Sequence, residues 1–356
     1  MLYEAQFPVG GCAGRKFMVA YQNAGLGSIV HVGTYFLALA LDEGRIFLWS
    51  NATGAEYAVD ACGEEKSVLC FFRAPSSCTL ADTVGADVRT MVTWSGTEVV
   101  PHVALAILNS SAAPQTAWQL TYAWRAHAAA FLARFNSRAL ASMRKMRLAP
   151  HALATAHAPT HVGAAWAATL TTFPLAPGVT SISVRSGDKA REMTLVPLKE
   201  YFAAAEARVM VANPWAHVRG GLIASIPADA NLQGLAAALA RGEDAVGNGT
   251  LPSSYERAAL STWAWTWLAP QTSAGQGTDA WWLQLLLALE CDAWVGTLGS
   301  NWNRLIDELR AVWLPKARNV FVEVGDDGGG TYFWRARALA AESNSRGEDP
   351  GDLGSS

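Results

Sequence analysis

KFMVAYQNAGLGSIVHVGTYFLALALDEGRIFLW, residues 16–49, decides the fold class. Lys16–Tyr21 is a short apolar run that ends at a glycine-containing turn, Asn23–Ser28. An apolar stretch of helical length follows, Ile29–Leu41, closed by Asp42, Glu43 and Gly44, and Arg45–Trp49 is a second strand-like run. Strand, glycine turn, helix, strand is the opening of a parallel α/β unit. A second unit is read further on. Val179–Val184 is its first strand, Val196–Ala207 a helix and Arg208–Ala212 another strand. Asp279–Glu290 is then a helix, Ala293–Val295 a short buried strand, Trp302–Trp313 a well-patterned helix and Val320–Val324 a last strand.

Between these runs the periodicity weakens. Glu56–Ala86 looks like a stapled loop region, and Thr116–Leu148 reads as one long, partly buried helical pattern. His151–Pro177 reads as a linker or insertion, and Ala228–Ser273 as irregular around a Trp263, Trp265, Trp267 cluster that is either core or a sugar-stacking platform. The expectation is an α/β protein of two domains, 1–175 and 176–335, followed by a disordered tail, 336–356.

Composition agrees. A chain of 356 residues exceeds what one hydrophobic core usually serves, and 51% hydrophobic against 16% charged residues is not the balance of a disordered chain. A net charge of −3 argues against a general nucleic-acid binder or a polybasic membrane-surface protein. The longest apolar runs, such as Phe36–Leu41 and Leu285–Leu289, are too short to cross a bilayer. No charged n-region followed by an apolar stretch opens the chain, so no signal peptide is read there.

Four of the five cysteines, Cys12, Cys62, Cys70 and Cys78, cluster near the start, and Cys291 stands apart. None forms a C-x-x-C pair, which disfavours a structural zinc site, and four clustered cysteines allow three disulfide connectivities. Sequons at Asn51, Asn109 and Asn248 tilt the reading from cytosolic thiols towards a lumenal or secreted protein, whose targeting segment would lie outside this chain.

Three stretches carry chemistry. Gly25, Leu26, Gly27 and Ser28 form a turn between strand and helix. The third glycine of a dinucleotide fingerprint falls at Val30 and no acidic residue ends the next strand, so NAD is disfavoured; a phosphate-facing turn or a plain βα turn remain. Ser181–Met193 runs from a strand into Arg185, Asp188, Lys189 and Glu192. At the end of a parallel strand these are either a diphosphate grip with a carboxylate base or a solvated charged loop. In Cys291–Arg310, Ser300 and Asn301 fall at a helix start, where they either cap the helix or leave its amides to a ligand oxygen. No D-x-D pair follows a strand, so metal-bridged diphosphate binding is not indicated.

Val184–Tyr201 (VRSGDKAREMTLVPLKEY) resembles the H-V-R-R-x-D-K loop and following P-x-x-x-Y helix of the α-1,6-fucosyltransferases that modify N-glycan cores and of the related bacterial nodulation fucosyltransferases. Asn23–His31 is similar to that family's G-x-G turn and histidine-containing helix, and Gly296–Arg304 (GTLGSNWNR) resembles its T-x-S-S-x-x-x-R block. Phe131–Lys145 is similar to the helix before the arginine loop; the likeness spans residues 12–325 in scattered blocks.

The resemblance implies a GT-B-like fold, two facing Rossmann-like α/β domains with parallel sheets, and inverting transfer from GDP-fucose to a glycan or glycoprotein without metal or further cofactor. Arg185 would grip the β-phosphate, Ser300 and Asn301 would close on the diphosphate, and Gly25, Leu26, Gly27 and Ser28 would face the donor. Lys189, Glu192 and Asp188 would be catalytic. It further implies a Cys12–Cys78 disulfide, with Cys62 and Cys70 also oxidised, and residence in the Golgi or secretory-pathway lumen. Several positions depart from the family pattern. Ser183 replaces a histidine, Ser186 an arginine, Met193 the catalytic glutamate and Gln284 the guanine-reading aspartate, while Val211–Pro214 replaces an acidic strand end. These departures define the alternative, a catalytically inactive relative that binds glycan or nucleotide sugar.

Overall fold

The computed structural model describes residues 2–92, 100–102, 104–105, 117–148, 173–175, 179–184, 196, 200–201, 204–205, 278–297, 299–312 and 322–324, and the backbone course of 154–157, 220–225 and 264–268. It is a mixed α/β structure with parallel sheets, in two compact units. The first is built from Met1–Ala58 and Cys62–Asn136, the second from Ser137–Gly328.

In the first unit β1 (Lys16–Ala20) pairs in parallel with both β2 (Arg45–Trp49) and β3 (Val88–Met91), in the order β2-β1-β3. The connection from β1 to β2 is α2 (Leu26–Asp42), as the opening stretch requires. It buries Ile29, Val30, Phe36 and Leu37, and Gly33 lets it pack closely, because a Cβ there would overlap the Trp49 indole. Gly33 thus does the helix–strand packing work that the dinucleotide fingerprint assigns to its third glycine. The sequence reading omitted β3, whose residues Val88–Thr90 are exposed and carry no apolar alternation. It also omitted α1 (Leu2–Gln6). The Gln6 carboxamide of α1 accepts from Phe47 N at 2.8 Å and donates to Arg45 O at 3.5 Å.

Arg45 ties the starts of all three strands together. Its guanidinium donates to Glu43 Oε2 at 2.8 Å, to Asp87 Oδ1 at 2.9 Å and to the carbonyls of Phe17 and Asp87 at 3.3 and 3.2 Å. Hydrogen bonding from Arg45 holds the Asp87 carboxyl below the usual aspartate range, and the same contact raises Arg45. A depressed carboxylate contributes stability above its unfolded-state pKa, and that contribution is lost as pH falls through the folded value. Asp87→Asn is therefore expected to lower the melting temperature at about pH 7, with the gap from wild type closing as pH falls below the usual aspartate range. A gap that stays constant with pH in melting curves would contradict this.

The stretch Glu56–Ala86 is stapled by disulfides Cys12–Cys78 and Cys62–Cys70, one of the three connectivities open to four cysteines, and holds four short 3₁₀ turns. Cys78 packs with Phe17, Ile46 and Leu48, with Cys12, Val19 and Leu80 against them. The single helix read over Thr116–Leu148 is two, α3 (Ala117–Leu132) and α4 (Ser137–Leu148). At the break Arg73 N donates to Arg134 O (2.7 Å) and Asn136 N to Phe71 O (2.9 Å). The Asn136 amide also donates to the Leu69 and Cys70 carbonyls, both at 2.9 Å. Pairing with the stapled segment replaces one turn of helix.

The second unit holds a six-stranded sheet of order β4-β7-β6-β5-β8-β9: β4 (Ala154–His157), β5 (Val179–Val184), β6 (Gly220–Ser225), β7 (Ala264–Leu268), β8 (Ala293–Gly296) and β9 (Phe321–Glu323). All pairs are parallel except β4 with β7. All six residues of β5 are buried, as the centre of a doubly covered sheet demands. Three readings are corrected here. Residues 154–157, inside the expected linker, are an edge strand. Residues 264–268, inside the expected irregular region, are β7, which places Trp265 opposite Gly221 and Trp267 opposite Ile223. The strand beside β5 is Gly220–Ser225, where the sequence reading had none. Arg208–Ala212, most of Val196–Ala207, Trp263 and the tail 336–356 lie outside the described residues.

Three helices of this unit are described in full: α4, α5 (Gly277–Glu290) and α6 (Asn301–Val312). Arg138 on α4 forks onto Asp279 in the first turn of α5 at 2.9 and 3.1 Å, and Ser142 Oγ donates to the same carboxylate at 2.6 Å. Arg147 forks onto Glu290, the last residue of α5, at 2.7 and 2.8 Å, and Leu175 N adds a third donor at 2.9 Å. Arg310 of α6 donates to the Ala288 and Cys291 carbonyls at 2.7 and 2.8 Å, satisfying the open end of α5. Among the described residues no helix is long and apolar enough to cross a membrane.

Candidate functional site

The strand order places a candidate site in the second unit. From β5 the chain steps outward through β6 and β7, then returns to the other flank of β5 to form β8 and β9. The order reverses between β5 and β8, and open α/β sheets bind ligands outside the carboxyl ends of the strands at such a reversal. Ile182 pairs with Val295, so both strands end side by side, one leading into residue 185 and the other into residue 297. Arg185, Asp188, Lys189 and Glu192 lie outside the described residues, as does Ser186; the chain enters that stretch from Val184.

On the β8 side the turn is described. Ser300 N donates to Thr297 O at 3.3 Å, Gly299 N to Thr297 Oγ1 at 3.4 Å, and Arg304 N takes the Ser300 carbonyl at 2.9 Å as the first bond of α6. Ser300 therefore holds the position ahead of the helix where a side-chain cap belongs. Its hydroxyl does not cap: Ser300 is fully buried, and its Oγ meets no hydrogen-bond partner among the described residues. Burying a hydroxyl unpaired is costly, and this helix start is compatible with a ligand oxygen as it is with a plain turn. Asn301 is half-buried, and its Oδ1 accepts from Arg304 Nη1 at 3.1 Å. Arg304 itself is buried in the first turn of α6, where the helix dipole disfavours a cation and an anion would favour one.

Sequence reasoning missed Asn303, and it met Arg304 only as the arginine that ends the T-x-S-S-x-x-x-R resemblance. Arg304 was visible as a cation one turn beyond Ser300 on the buried stripe of α6. Asn303 gave no local signal. Its Oδ1 accepts from Ser183 Oγ at 2.6 Å and its Nδ2 donates to Thr297 O at 2.9 Å. Gln284, on α5, is buried.

In the first unit the glycine turn leads into α2. Gly25 precedes the helix in extended conformation (φ −54°, ψ 147°) with no side-chain cap, and Ile29 N donates to its carbonyl at 3.0 Å. Neither its φ nor its surroundings require glycine, since an added Cβ would meet open space. Leu26 and Gly27 are buried and Ser28 half-buried. One turn on, the buried His31 is hydrogen-bonded through Nδ1 to the buried Arg125 guanidinium of α3. Uncapped amides at this start are compatible with an anion, as they are with a simple βα turn.

Of the sequons, Asn109 and Asn248 lie outside the described residues, and Asn51 is exposed in the turn after β2. Its partner Thr53 is fully buried, donating to Ala20 O at 2.9 Å and accepting from Gln22 N at 3.3 Å. Two disulfides are consistent with an oxidising compartment.

Neither a family model nor a curated protein sequence matches this chain. Among solved structures the chain is similar to a crystal structure of POFUT1 in complex with GDP-fucose, at 10% identity and a TM-score of 0.32, over 92% of this chain and 79% of that one.

Proposed function

We propose that this chain is an inverting, metal-independent glycosyltransferase of GT-B-like architecture that moves fucose from GDP-fucose to a glycan or glycoprotein acceptor in the Golgi or secretory-pathway lumen. The observation that carries it is the unpartnered, buried Ser300 hydroxyl at the start of α6, beside the end of the central strand that leads into Arg185. Phosphate oxygens suit such a helix start, and the identity of the sugar and base rests on the family resemblance of the Val184–Tyr201 and Gly296–Arg304 stretches.

In this reading the acceptor oxygen attacks the anomeric carbon from the side opposite the diphosphate. The bond from that carbon to the β-phosphate oxygen breaks, and GDP leaves with the electron pair. Arg185, Lys189, Ser300 and the α6 amides stabilise the charge that develops on the diphosphate. Glu192 or Asp188 takes the acceptor's proton. Asn301 closes the diphosphate side.

Ser300→Ala tests this, because the hydroxyl has no partner to lose among the described residues. The variant is expected to melt no lower than wild type while its GDP affinity falls about tenfold, the loss of one hydrogen bond to a charged group. Calorimetric titration with unchanged GDP affinity would reject the site. A second reading is favoured by one observation: Ser183, standing where the family has histidine, is committed to Asn303. In a binding protein without activity, GDP-fucose would bind and never be hydrolysed; slow release of GDP and fucose separates the two.

A further inference from the structure

We infer that Asn303 is a positioning residue that sets where Ser300 stands relative to the central strand, an inference that rests on the β5–β8 reversal being the phosphate site. The chain of bonds is continuous. Ser183 Oγ, one residue from the end of β5, donates to Asn303 Oδ1 at 2.6 Å. Asn303 Nδ2 donates to Thr297 O at 2.9 Å, and that same carbonyl accepts Ser300 N at 3.3 Å. The two ends of the first bond lie 120 positions apart in sequence. All three side chains, Ser183, Asn303 and Ser300, are buried, so water does not compete for these bonds.

Gly296 makes the arrangement sterically possible. A Cβ there would lie 2.8 Å from the Trp294 ring, which would have to move, and 3.1 Å from Asn303 Nδ2, which would have to give by a few tenths of an ångström. Simple satisfaction of a buried serine needs one acceptor. Asn303 instead spends its acceptor on β5 and its donor on the turn after β8, so the two strand ends that flank the ligand position share one rigid link. Group transfer is sensitive to small misplacements of the groups that hold the leaving group.

The test combines amide exchange with GDP titration on the full chain. Because replacing both partners of a buried bond by apolar groups is nearly neutral, the Ser183→Ala/Asn303→Leu double variant is expected to fold with a melting temperature close to wild type. Its Ser300 and Gly299 amides are expected to exchange about tenfold faster, and its GDP affinity to fall about tenfold. Asn303→Asp keeps the acceptor for Ser183 but turns a carboxylate on Thr297 O, so it is expected to show the same fast exchange. A folded double variant with wild-type exchange at both amides and wild-type GDP affinity overturns the inference. If wild type itself binds neither GDP nor pyrophosphate, the transferase reading falls, and exchange at Gly299 and Ser300 alone then decides whether Asn303 holds the turn.

Discussion

Replacing Glu290 with alanine is expected to remove about 3–5 kcal/mol from the stability of the second unit, the usual consequence of leaving a buried charge without its partner. Glu290 is the last residue of α5, where the helix dipole disfavours a carboxylate. It is tolerated because three donors converge on it: both terminal nitrogens of Arg147 and the Leu175 amide. Both charged side chains are buried, so solvent cannot take over the role of either. The matching double variant, Arg147→Met/Glu290→Leu, removes both charges and is expected to recover most of the loss. Urea denaturation of the three proteins is the measurement. A single-variant loss under about 1 kcal/mol would mean that the pair is no more than a surface-type contact.

The second large effect is expected from the Cys12–Cys78 bridge. It closes a loop of 66 positions, for which the chain-entropy model gives about 4 kcal/mol, against about 2.5 kcal/mol for the 8-position loop of Cys62–Cys70. The longer bridge also has its Cys78 end in the Phe17, Ile46, Leu48 cluster beneath the sheet. Cys12→Ser/Cys78→Ser is therefore expected to destabilise the first unit more than Cys62→Ser/Cys70→Ser does. Denaturation of the two double variants checks the order, and the reverse order would place the stabilisation in local strain or packing rather than in loop closure.

What could be read from sequence divides along physical lines. β1, α2 and β2 were legible because hydrophobic period, glycine turn and acidic closure change within a few residues of each boundary. β5 and β8 were legible as short, wholly buried runs. β3 was not, since an edge strand of exposed residues carries no alternation, and the break between α3 and α4 was not, since its cause is a segment some sixty positions upstream. The same holds for the site. Ser300 and Asn301 could be placed at a helix start, but whether Ser300 caps that helix depends on geometry that no local pattern encodes. Asn303 was invisible because its meaning lies in a strand 120 positions away.

The Gln6 carboxamide has a consequence for how the small sheet behaves in company. By offering Phe47 an oxygen and Arg45 a nitrogen, it reproduces the two contacts that one residue of a parallel neighbour would make along β2. At that point of the flank the outward groups of Arg45 and Phe47 are already engaged, so an intruding polypeptide could pair there only by displacing Gln6.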